Sequence, residues 1–165
     1  MKKKMSLLLT LMLIMGLLSG CGSSSSQNKE ISLGLTAPMT GDYAEYGNAF
    51  KNAIELAIEK ANSEGGINGK KLKLVVGDSK ADPKEAANIA QKFVSDSSIQ
   101  AVIGDFTSTA AFAGSPIYQK NGLVQLSPTS SHPDFTKGGN FIFRNISTQA
   151  DEGPIVAKYA VNDLH

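Results

Sequence analysis

The chain has 165 residues, with 16 Lys and Arg against 15 Asp and Glu, a formal charge of +1 and a single cysteine. That length suits one domain or part of a larger protein. A near balance of charge, with no basic stripe, argues against nucleic-acid binding. One cysteine excludes an intrachain disulfide and the paired-cysteine metal motifs.

The chain opens with Lys2, Lys3 and Lys4, followed by an almost wholly apolar run from Leu7 to Leu18. This is the layout of a secretory signal. The run is shorter than the roughly 20 residues that a membrane span needs. Leu18-Ser19-Gly20-Cys21 is similar to the lipobox of bacterial lipoproteins. That resemblance implies cleavage before Cys21, a lipid anchor on its sulfur, and a protein held at the extracytoplasmic face of the membrane. Removing residues 1–20 would take away three lysines and no acid, leaving a net acidic chain. Residues 21–30 hold nothing that could build a core and read as a flexible tether.

The next segments alternate in type. ISLGLT (31–36) has strand alternation. Tyr46, Ala49, Phe50, Ala53, Ile54, Ala57, Ile58 and Ala61 form the stripe of an amphipathic helix. Gly65-Gly66 ends it and Asn68-Gly69 turns the chain. KLKLVVGD (71–78) is a second strand. Asp82-Pro83-Lys84-Glu85 is a helix start, with Asp82 as cap and Glu85 completing a capping box. Ala86, Ile89, Ala90, Phe93 and Val94 give that helix its buried stripe. AVIG (101–104) is a strand, and a small-residue helix follows from about Ser108 to Lys120. LVQLS (123–127) and FIFRN (141–145) are further strands. A last helix over 151–163 presents Ile155, Val156, Tyr159 and Ala160, with Leu164 just beyond it.

Strands alternating with helices predict an α/β fold with a parallel sheet flanked by helices. Ligands of such sheets bind beyond the carboxyl ends of the strands. Two hydroxyl-rich loops fall there, around Thr107-Ser108-Thr109 and across SPTSSHP (127–133). A helix N-terminus with short hydroxyl side chains suits a carboxylate. The plainer reading is that Ser108 only caps its helix, and local pattern leaves both open. Catalysis is not supported. His132 and His165 lie in no triad motif, and FTSTA is no nucleophile elbow. No cofactor or metal motif is present.

GLTAPMTGDYAEYGNAFKNAIELAIEKANSEGGINGKKLKLVVGDSKADPKEA resembles the N-terminal lobe of type I periplasmic binding proteins, close to the branched-chain amino-acid branch of ABC-transporter substrate-binding proteins. VIGDFTSTAAFAGSPIYQKNGLVQLSPTSS and FIFRNISTQADEGPIVAKYA continue the match. The resemblance implies two Rossmann-like α/β lobes with the ligand between them. It implies capture of an amino acid outside the membrane and delivery to an ABC permease by a monomer, without enzymatic activity. Hydroxyls at Ser108 and Ser131 and the backbone at Thr129 would bind the ligand carboxylate, and Tyr46 would pack near the ligand. Some relatives carry a disulfide at the positions of Ala81 and Thr107, and neither is cysteine here. On this reading residues 31–146 are the first lobe. Residues 147–165 are the hinge crossing and first helix of a second lobe whose remainder is missing, so that this last helix would be loosely docked. Alternatives are a sensor domain of a signalling receptor and an extracellular α/β hydrolase.

Overall fold

A computed structural model describes residues 30–164. The signal segment, Cys21 and nearly all of the tether lie outside the described residues. Glu30, assigned to the tether by composition, is the first residue of strand β1 (Glu30–Ala37).

Helix α1 (Ala44–Ser63), strand β2 (Lys71–Asp78), helix α2 (Pro83–Ser95), strand β3 (Ile99–Gly104), helix α3 (Ser108–Asn121) and strand β4 (Val124–Ser127) follow in turn. A 3₁₀ turn (Phe135–Gly138), strand β5 (Ile142–Arg144) and helix α4 (Gln149–Asn162) complete the described chain. The five strands form one sheet in the order β2-β1-β3-β4-β5, every pair parallel. The parallel α/β architecture read from the alternation is therefore present.

Local chemistry accounts for most boundaries. Asp82 caps α2 by accepting the N–H groups of Lys84 and Glu85 at 2.8 and 2.9 Å, with Pro83 at the first helical position. The expected capping box is only half made, because Glu85 does not return a bond. A complete box occurs instead at Thr148 and Asp151, opening α4. Asn68 and Gly69 both have positive φ and turn the chain between Ile67 and Lys70.

The core lies between the sheet and the paired helices α2 and α3. Ile89, Ala90 and Phe93 of α2 meet Ala111 and Tyr118 of α3 over Ile99, Val102 and Ile142. Burying each large side chain is worth about 1.5–3 kcal/mol. Phe135, from the unforeseen 3₁₀ turn, is fully buried in this cluster.

Helix α1 departs from expectation. Its only buried residue is Gly47. Phe50, Ile54, Ile58 and Ala61 are half-buried, whereas Tyr46, Ala49, Ala53 and Ala57 are exposed. The helix rests on β1 and β2 along a narrow line. A Cβ on Gly47 would lie 2.0 Å from the Pro38 carbonyl oxygen, so glycine permits the close approach that seats the helix start. Helix α4 buries no residue at all, and Ile155, Val156, Tyr159 and Leu164 are exposed. Among the described residues, no helix is long and apolar enough to cross a membrane.

Candidate functional site: the rim of the parallel sheet

The strand register brings every carboxyl end to one rim. Ala37 pairs with Asp78, Thr36 with Gly104, and Ser127 with Arg144. The chain passes from β1 outward to β2 and then returns to the other side of β1 as β3. The loops after β1 and β3 therefore leave neighbouring strands in opposite directions, which opens a crevice between them.

Aromatic rings from both loops meet at that crevice. Phe106, after β3, stacks on Tyr46 of α1 with centroids 4.5 Å apart and planes 18° from parallel. Tyr43 and Phe50 flank the same ring at 5.3 and 6.0 Å. Tyr46 remains 52% exposed, so a face of this wall is open to solvent. The sequence reading named Tyr46 and missed Phe106, whose signal was its place between a strand and a hydroxyl cluster.

The cap of α3 is Thr107 rather than Ser108. The Thr107 side chain accepts the Ala110 N–H at 3.2 Å from an extended backbone (φ −91°, ψ 145°). Ser108 is the first helical residue, half-buried, and its hydroxyl makes no hydrogen bond among the described residues. The reading in which Ser108 merely caps the helix is thus corrected. The first-turn amides of Ser108 and Thr109 lack intrahelical acceptors, as at any helix start.

The second hydroxyl loop is tied directly to the first. The Thr129 hydroxyl donates to the Phe106 carbonyl at 2.7 Å. The Ser127 hydroxyl donates to the Asp105 carbonyl at 3.1 Å and accepts the Ser130 amide at 3.0 Å. Ser130, fully buried, is held to Ser127 hydroxyl to hydroxyl at 2.7 Å. Ser131 lies half-buried just beyond, its hydroxyl without a partner among the described residues and its carbonyl accepting the Gln149 amide at 3.0 Å.

Three supports were invisible in the sequence. Arg144, at the end of β5, donates to the carbonyls of Ser130, His132 and Pro133 at 3.4, 2.5 and 3.0 Å, clamping the loop that carries Ser131. Buried Gln125 donates to the Gly104 carbonyl at 3.0 Å and accepts the Ser115 hydroxyl at 2.8 Å, so β4 is pinned to β3 and α3 together. Asp78 takes the Met39, Thr40 and Lys80 amides and the Thr40 hydroxyl. It thereby ties the β1–α1 loop to the end of β2. Partial burial pushes the Asp78 carboxyl up, but those four hydrogen bonds outweigh it and hold the carboxyl below its usual range. His132 is exposed, accepts the Asp134 amide through Nδ1 and meets the Phe112 ring edge-on.

The switch point of this α/β lobe thus carries an aromatic wall and two hydroxyls without partners among the described residues. The family profile of periplasmic binding proteins matches residues 30–165, and the chain belongs to that family. It is 36% identical over 135 residues to a Leu/Ile/Val-binding protein homolog of Brucella abortus, an alignment covering 81% of this chain and 36% of that protein. The branched-chain amino acid transporter substrate-binding protein LivJ of Streptococcus pneumoniae, solved with isoleucine, superposes with a TM-score of 0.77 at 31% identity, over 82% of this chain and 39% of LivJ. An ABC-transporter substrate-binding protein of Desulfitobacterium hafniense, solved with leucine, gives 0.72 at 36% identity, over 82% and 40%. The chain therefore spans well under half the length of these relatives.

Proposed function

We propose that this chain supplies the first lobe of an extracytoplasmic solute-binding protein that captures a branched-chain or similar amino acid for import by an ABC permease. The observation that carries the reading is a pair of hydroxyls without partners among the described residues, Ser108 and Ser131, on two loops joined at Thr129 and Phe106. In this proposal the Ser108 and Ser131 hydroxyls donate to the ligand carboxylate, the Thr129 backbone joins them, and Tyr46 packs beside the ligand. The positive end of α3 favours the anion. Residues 31–146 form this lobe, and residues 147–165 lead into a second lobe that closes the cleft. Binding rather than catalysis accords with the family and with the relatives solved with isoleucine and leucine. Cys21 carries the lipid that keeps the mature protein, a monomer, at the membrane.

Calorimetric titration of the full-length protein with leucine and isoleucine tests the reading. Saturable binding is expected. Binding weakened by about 1–3 kcal/mol in both Ser108→Ala and Ser131→Ala, in folded protein, would locate the site. Unchanged affinity in both variants would refute it. Lipid labelling of wild type against Cys21→Ala tests the anchor.

A further inference from the structure

The proposed site leaves one buried carboxyl unused. Asp105 joins β3 to the first hydroxyl loop and is 1% exposed. Its Oδ1 accepts the Phe106 amide at 2.6 Å, while Oδ2 makes no hydrogen bond among the described residues. Its own carbonyl accepts the Ser127 hydroxyl at 3.1 Å and lies 3.4 Å from that of Thr129. Both proposed ligand loops thus meet at this one residue.

Its surroundings do not neutralise it. The Ser79 hydroxyl faces it from the β2–α2 loop, with the Phe106 and Thr107 amides on its own loop. The remaining ionisable neighbours are the Asp78 carboxylate at the end of β2 and the Tyr118 phenol of α3, which bonds the Thr36 hydroxyl of β1. None of these is a cation. Arg144, on β5, is committed to carbonyls of the second loop. Burial first, and Asp78 last, push the Asp105 carboxyl up to about 6, against the pull of the hydroxyl and the amides.

Resting on the function proposed above, we propose that Asp105 is a positioning residue that couples proton uptake to ligand capture: it sets the Phe106–Thr107 turn beneath the hydroxyls, and an arriving carboxylate is held more tightly when Asp105 is neutral. A second anion at the start of α3 raises the energy of a charged Asp105 and so favours its protonated form. Linkage is reciprocal, so the proton favours the anion by the same factor. The proton on Oδ2 also turns an unpartnered acceptor into a donor.

The test is calorimetry of the full-length protein with leucine from pH 5 to pH 8, in two buffers of different ionisation enthalpy. Affinity falls about five- to tenfold from the acid to the alkaline end, a coupling of ordinary size, and wild type takes up a fraction of a proton near pH 6–7. Asp105→Asn abolishes both effects. Ser79→Ala removes a group that favours the charged form and moves the midpoint to higher pH. His132→Gln, beside Ser131, keeps the wild-type profile. A wild-type affinity that is flat with pH overturns the proposal even if Asp105→Asn fails to fold. So does a pH profile that survives in Asp105→Asn or vanishes in His132→Gln. Absence of leucine and isoleucine binding at every pH overturns the functional reading and this proposal with it.

Discussion

The ring of Phe106 lies against that of Tyr46, centroid to centroid at 4.5 Å, although one follows β3 and the other belongs to α1. This contact ties the first turn of α1 to the loop that follows β3 at the switch point. Stacked aromatic pairs contribute about 0.5–1.5 kcal/mol beyond their buried area. A double-mutant cycle of Tyr46→Ala and Phe106→Ala in urea unfolding is expected to give a coupling of that size. Additive effects would show that the rings are neighbours without interaction.

Thr107 and Ser108 separate stability from binding. Thr107→Ala removes the α3 cap and is expected to cost about 1 kcal/mol of stability. Ser108→Ala should change stability by less than about 0.5 kcal/mol and weaken amino-acid binding by about 1–3 kcal/mol. Thermal denaturation with paired calorimetry checks both, and the reverse pattern would reassign the cap.

Arg144 anchors a loop rather than pairing with a carboxylate. Arg144→Met leaves the Ser130, His132 and Pro133 carbonyls without their charged donor, at a cost of about 1.5–3 kcal/mol. Arg144→Lys restores the charge but not the fork that reaches several carbonyls. Both should speed amide exchange across residues 129–135, the methionine more. Unchanged exchange in both would show that the clamp is dispensable.

Asp105 gives folding stability an unusual dependence on pH. Its folded-state value of about 6 lies above the ordinary 3.8. Its contribution is therefore full below pH 3.8 and is lost as the pH rises through 6. The loss is about 3 kcal/mol at most. Asp78 acts in the opposite sense: held below 3.8, it stabilises above that value and the effect fades on acidification. Comparing wild type with Asp105→Asn in urea from pH 4 to pH 7.5 isolates the first effect. Wild type should lose stability relative to the variant across that range, and a constant difference would refute the assignment.

The fold was largely legible because its signals are local. Periodicity marked α2, Asp82-Pro83 marked its start, and apolar runs marked β3 and β4. The fate of α1 was not legible. Its stripe suits burial, yet how much of it is covered depends on what packs over the sheet, which periodicity does not record. The cap of α3 hinged on whether Thr107 or Ser108 takes extended backbone, and TST fits either. Arg144 and Gln125 act on backbone groups far away in sequence, and the Asp105 carbonyl takes hydroxyls of the loop after β4. A basic residue in a strand, an amide in an apolar run and an acid after a glycine give no hint of such partners. Hydroxyl clusters did reveal the two loops, since little but ligand contact or capping explains so many small polar residues past strand ends.

The placement of β1 bears on how the molecule assembles. It pairs with β2 on one side and β3 on the other, both in parallel, so no hairpin can seed the sheet. Each pairing waits for an intervening helix to be made, which raises contact order and slows folding. The bond from the Thr129 hydroxyl to the Phe106 carbonyl can close only after β4 has docked on β3. The junction of the two hydroxyl loops is thus a late product of folding. A chain cut before Val124 would keep β1, β2 and β3 and lack both its second hydroxyl loop and the tie that holds the first.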